Sequence, residues 1–182
     1  GVIPNFTRAF LDEQVMSEQP APFSPFDGLS VALVGTAAVA WTVQPQAMVT
    51  GGLLVGAGCV NLGRLLRWYG WVTWREPLVL ILHLGYGWLT MSLLVLGGAI
   101  LGLGLPTTDA VHALTAGAVG AMTLAIMTRA SLGHTGRPKH AGPLTVCIYI
   151  LVNLGAMLRV FGPSFDLSTN LVLGLAAMSW SG

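Results

Sequence analysis

Charge is what this chain has least of: 8% of its 182 residues are Asp, Glu, Lys or Arg, against roughly 25% in soluble domains. So little charge excludes an ordinary soluble globular domain. The formal net charge is +1, and with no basic field there is nothing to hold nucleic acid. Cysteine is also scarce. Cys59 and Cys147 both lie in apolar segments, which excludes a disulfide framework and a zinc site built from closely spaced pairs. They read as two small buried thiols. No initiator Met opens the chain, and Asp12, Glu13 and Glu18 interrupt the first stretch before any apolar core appears, so it is no signal peptide. The far end stops inside an apolar run, and the sequence is expected to be a fragment of a longer chain.

What fills the space is apolar. Hydrophobic residues make up 54%, with 24 glycines among the rest, a residue commoner in membrane helices than in soluble ones. The expected fold is all-α, a polytopic transmembrane helix bundle of about six spans. Residues 1–26 read as a polar pre-membrane segment, punctuated by Pro20, Pro22 and Pro25. Within it, Asn5 to Met16 predicts a short amphipathic helix on the membrane surface, with Phe6, Phe10, Leu11 and Val15 on one face. Residues 27–182 read as the bundle. Apolar runs at 28–43, 47–67, 77–103, 108–128 and 142–161 each come near the ~20 residues needed to cross the hydrocarbon core. A sixth begins near Leu167 and ends short of the ~17-residue minimum, as a truncated span would. Pro45, Pro77, Pro106 and Pro143 sit at span edges, where a missing N–H does least harm.

Basic residues set the orientation. Arg8, Arg64, Arg67, Arg75, Arg129, Arg137 and Lys139 fall on one side and only Arg159 near the other, a 7 to 1 bias. The positive-inside rule then places the N-terminus and the loops 64–75 and 129–139 in the cytoplasm. Packing is legible too: Ala113, Gly117, Ala121 and Ala125 recur every four residues, a stripe that lets another backbone approach closely. Gly52 and Gly56 repeat the pattern in the second span.

Chemistry is confined to few places. Of the four histidines, His83 lies inside the third span and His112 near the start of the fourth. His134 and His140 fall in the fourth connection. An ionisable group within a span is a functional candidate by default, since burial in lipid is costly, and neutral imidazole ligates haem iron and copper. A lone intramembrane histidine can also donate to a neighbouring carbonyl and do nothing more. His83 is ~9 Å above the cytoplasmic start of its span and His112 ~6 Å below the opposite face, which places them at different sites. Tyr86 and Thr90 share the helix face of His83, and Asn61 and Arg64 end the second span. Arg129 and Arg137 are at a level where arginines can neutralise haem propionates, or simply fix topology.

The stretch from His112 through Ala113-Leu114-Thr115 and Met127-Thr128-Arg129 to Gly133-His134-Thr135-Gly136-Arg137 resembles the signature of the NnrS family. So do Pro77 to Trp88, with His83-Leu84-Gly85-Tyr86, and the opening Ile3-Pro4-Asn5-Phe6-Thr7-Arg8. The likeness runs in order along nearly the whole chain and corresponds to the C-terminal half of longer family members. It implies a multi-pass bacterial inner-membrane protein of denitrification and nitrosative stress, carrying haem (b-type) and copper and binding or processing nitric oxide. It implies His83, His112 and His134 as metal ligands, with neither metal assigned to any one of them, and His83, His112, Arg129 and Arg137 as cofactor-binding residues. A histidine-bearing motif of the family's N-terminal half is absent here, which implies a partial ligand set. Besides lipid and nitric oxide, the implied partners are the missing N-terminal helices or a partner subunit. Two other classes compete. A b-type electron-transfer subunit would need paired histidines between helices. A transporter would need mid-membrane carboxylates, whereas Glu76 and Asp109 stand at span edges.

Overall fold

The computed structural model describes residues 1–15, 19–138, 140–162 and 169–181. It is all-helical, with no strand among the described residues. Helix α1 (Val2–Glu13) precedes the spans α2 (Pro25–Val43), α3 (Met48–Leu66) and α4 (Pro77–Ile100), a 3₁₀ segment (Gly70–Arg75) lying between the last two. Next, α5 (Thr107–His112), a π-helical stretch (Ala113–Val119) and α6 (Gly120–His134) run on as one 28-residue span. Helices α7 (Pro143–Phe161) and α8 (Thr169–Ser181) complete the chain. Among the described residues, five helices are long and apolar enough to cross a membrane. The expected start of a sixth span near Leu167 lies outside the described residues, as do Lys139 and Met16.

Local chemistry explains the boundaries. Pro25, Pro77 and Pro143 each open a helix, where the missing N–H is one of the orphans anyway. Glu76 caps α4 by accepting the Leu78 N–H at 3.3 Å. At the other end, Gly102 takes the left-handed conformation (φ 80°) and the Leu103 N–H closes on the Gly98 carbonyl at 3.0 Å, the usual glycine stop. The fourth span runs beyond the expected residue 128. It continues through Arg129 to His134 and stops at Gly136 (φ 65°), where the Arg137 N–H returns to the Leu132 carbonyl at 3.0 Å. Thr128 and Thr135 bond back to carbonyls one turn earlier, so polar composition there does not break the helix.

Helix α4 is the axis of the bundle: 61% of its apolar window is buried in protein, against 17% for α2. Lipid is as apolar as leucine, so helix contact here rests on close fit. Ala113, Gly117, Ala121 and Ala125 are all buried, as the stripe predicts. A Cβ added to Gly117 would strike the Trp88 indole, and one on Gly85 would come within 2.7 Å of Met122. In α3 the expectation needs correction. Gly52 and Gly56 face open space; the glycines that admit α4 are Gly51 and Gly58, with Gly97 opposite. A Cβ on Gly97 would lie 2.7 Å from the Gly51 carbonyl. Four glycines, Gly51, Gly52, Gly56 and Gly58, were available, and only the partner helix decides which face inward.

Two further expectations change. Helix α1 buries Ile3, Pro4, Thr7 and Leu11 against α4 and the 3₁₀ segment, while Val15 is fully in the open. Its inner face is therefore set by the protein, with Leu11 and the half-buried Phe6 common to both faces. Cys59 and Cys147 are exposed on the outside of the bundle, since a small apolar thiol meets no penalty where lipid is the solvent.

Candidate functional site

His83 is 5% exposed and is held from three directions. Its Nδ1 is 3.1 Å from the Val79 carbonyl, one turn back on α4. A carbonyl only accepts, so Nδ1 carries the hydrogen and the neutral ring keeps its lone pair on Nε2. Nε2 lies 3.3 Å from the hydroxyl of Thr7, delivered by α1. Trp68 meets the ring edge-on, with centroids 6.4 Å apart. Gly70 lies against the imidazole so closely that a Cβ there would collide with it. Trp68 turns inward because Tyr69 reverses the chain in the left-handed region (φ 53°), a conformation that costs a non-glycine residue ~1–2 kcal/mol.

The other face of this site is a groove of about 710 Å³, almost entirely apolar, which His83 lines together with Leu65, Gly87, Trp88 and Met157. Gly87 follows His83 by one turn on the same face of α4 and leaves the wall flat there. Trp88 donates its indole N–H to Asn153 of α7 at 3.0 Å.

Beside the groove a polar network joins three helices. Arg64 donates from Nε to Asp27 at 2.8 Å and from Nη1 to the Tyr86 hydroxyl at 3.0 Å. Tyr86 in turn donates to Asn61 Oδ1, which Ser30 also reaches at 3.3 Å, while Asn61 Nδ2 bonds to the Ala57 carbonyl. Tyr86 therefore serves Asn61 and Arg64, and it touches His83 only through their common neighbour Trp68, 4.7 Å from the phenol ring. Thr90 bonds to the Tyr86 carbonyl of its own helix.

The remaining candidates lie elsewhere. His112 lines a separate cavity of about 360 Å³ with Trp41, Gln46, Leu96 and Thr108. His134 is exposed as the last residue of α6, and Arg137 is exposed just beyond it. Arg129 sets its guanidinium 3.9 Å from the centre of the Phe6 ring, and its Nε is buried without a hydrogen-bond partner. Neither arginine lines the His83 groove. His140 is exposed and its Nδ1 lies 3.2 Å from Glu76. The structure thus brings His83, His112 and His134 to three different places. Among the described residues no three His, Cys, Asp or Glu side chains are grouped to hold a metal.

The donor set at this place is a single imidazole, which could give haem one ligand. Its Nδ1–H is taken by a backbone carbonyl, which leaves Nε2 as the nitrogen for a metal; Nε2 faces Thr7 of α1, which is not among the residues that line the groove. Copper needs several convergent donors, and these residues do not supply them.

A family model described as NnrS protein matches residues 1–182. The chain belongs to the NnrS family. Membership supports a membrane protein related to the nitric oxide response. No curated protein and no solved structure matches it. In this NnrS chain, Thr7, Trp68 and Gly70 complete the surroundings that the sequence reading of His83 omitted. Only the aromatic density of Trp68 to Trp74 hinted at them: four of those seven residues are Trp or Tyr, too many for a plain wet loop.

Proposed function

We propose that this chain is a haem-bearing protein of the bacterial inner membrane that binds or processes nitric oxide, with His83 as a residue that would hold the haem. The observation that supports it is a buried imidazole inside a span, its Nδ1 held by the Val79 carbonyl, beside an apolar groove. A ferrous haem supplies an iron with an exchangeable position for nitric oxide. The chain's own residues do the rest. The Val79 carbonyl holds the ring, and Gly70 and Trp68 fix its plane. Nitric oxide is small and apolar enough to arrive through the bilayer. Copper, and any second ligand, would come from further helices of a longer chain or from a partner subunit. No step is assigned here to His112 or His134.

His83→Ala should lose haem from the purified protein while His140→Ala keeps it, as a reduced-minus-oxidised spectrum and metal analysis will report. Both variants remove an imidazole, but only one removes it from the groove. Full haem content in His83→Ala would end the ligand assignment. The proposed orientation has the N-terminus and both basic loops in the cytoplasm. A reporter placed after Arg137 that becomes active only in the periplasm would reverse it.

A further inference from the structure

We infer that a polar cavity between α1, the start of α2 and the end of α3 is a binding site for a phosphate group. The cavity holds about 170 Å³, and its lining includes Asn5 and Arg8 of α1, Ala21 of the connection, Asp27 of α2 and Arg64 of α3. No residue lines both this cavity and the His83 groove. Its walls are fixed. Ile3, Pro4, Thr7 and Leu11 anchor α1 by burial, and the ion pair of Arg64 with Asp27, at 2.8 Å, ties α3 to α2.

Charge and unused donors both point to an anion. Asp27 is the one acid in the lining, and both its oxygens are engaged. Oδ1 accepts from Arg64 Nε; Oδ2 accepts from the Ser24 backbone N–H and hydroxyl at 3.0 Å, with Arg67 3.8 Å away. Arg8 donates to the Pro20 carbonyl at 3.3 Å and has no carboxylate partner among the described residues. Three guanidiniums, those of Arg8, Arg64 and Arg67, thus stand against a single carboxylate. Arg64 spends Nε and Nη1 on Asp27 and Tyr86. Its Nη2 has no acceptor among the described residues and lies beside Gly1, another residue of the lining. A guanidinium edge of this kind matches the oxygens of a phosphate. The first turn of α2 and the last turn of α3 meet here, so the cavity stands where spans leave the hydrocarbon. Basic pockets between helices at that level take anionic head groups. The phosphate belongs either to a lipid headgroup or to a free anion, and the two are separable by titration.

The test is calorimetric titration of the full chain in a neutral detergent, at constant ionic strength so that screening is held fixed. The probes are inorganic phosphate, dihexanoyl phosphatidylglycerol and acetate. At least one phosphate probe should bind saturably, with acetate weaker. Arg8→Gln should weaken that binding about tenfold, the worth of one charge-assisted hydrogen bond. Ala21→Leu fills the cavity without touching its charge and should weaken binding at least as much; Ala21→Val replaces it if it does not fold. Arg75→Gln removes an exposed guanidinium outside the cavity and should stay within about twofold of the parent. A lipid preference of about tenfold or more assigns a headgroup, and anything less a free phosphate; both leave the site standing. No saturable binding of either phosphate probe overturns it. Equal losses in Arg8→Gln and Arg75→Gln replace it with a diffuse basic surface, and unchanged binding in the filled variant moves the anion out of the cavity. Acetate binding as tightly as the phosphate probes overturns the choice of ligand.

Discussion

The two ends of the bundle are held together by opposite means. At the end that carries the basic residues, α2, α3 and α4 are joined through side chains: Asp27, Arg64, Asn61 and Tyr86 form one connected set of hydrogen bonds. At the far end, α3 and α4 are joined by having almost no side chain between them, Gly51 and Gly97 bringing backbone against backbone. Lipid offers no hydrophobic drive to press helices together, so one end relies on satisfied polarity and the other on contact area. The candidate site lies toward the polar end. A network that fixes α3 and α4 relative to one another also fixes the wall on which His83 stands.

The largest effect should come from breaking the polar end. Arg64→Met would leave buried Asp27 with Arg67, 3.8 Å away, as its remaining charge partner beside the two hydrogen bonds from Ser24, and should cost about 3–5 kcal/mol, read as a fall in thermal midpoint in detergent. A loss under about 1 kcal/mol would mean that water already reaches Asp27. At the close-packed end, Gly97→Leu should cost at least the ~1–3 kcal/mol of an overpacked core. Gly117→Leu should do the same and should also expel Trp88 from its place. Unchanged stability in either would show that the helices separate at no penalty. Smallest of all, Gly52→Leu should change stability by no more than about 0.5 kcal/mol, because a side chain there meets nothing. If Gly52→Leu matched Gly97→Leu, the assignment of the inward glycines would be wrong.

Spans, proline edges and the fourth-span stripe were legible because each depends on a property that runs along the chain. A long apolar run must cross the bilayer, and a proline must sit where no N–H is wanted. What could not be read depends on which helix lies opposite. Gly51 and Gly52 are alike as letters, and only α4 tells them apart. Asp27 drew no notice at the edge of the first span, because its partner Arg64 lies thirty-seven positions later. The depth argument that separated His83 from His112 agrees with the two cavities they line. The surroundings of His83 were hidden because Thr7 and Trp68 reach it from segments with no span signal of their own.

The π-helical stretch at Ala113–Val119 has a consequence of phase. A π turn is in effect an α-helix with one residue inserted, and each residue advances the helical face by about 100°. The segment carrying His112 is thereby rotated against the segment carrying Arg129 and His134, although both belong to one span. Faces that a continuous α-helix would have aligned are pointed at different neighbours, His112 toward the cavity beside Trp41 and Arg129 toward Phe6 of α1. Deleting one residue from the stretch would restore regular winding and bring the two ends back into phase. The span would keep its composition and nearly its length, yet one of its ends would have to face the wrong way.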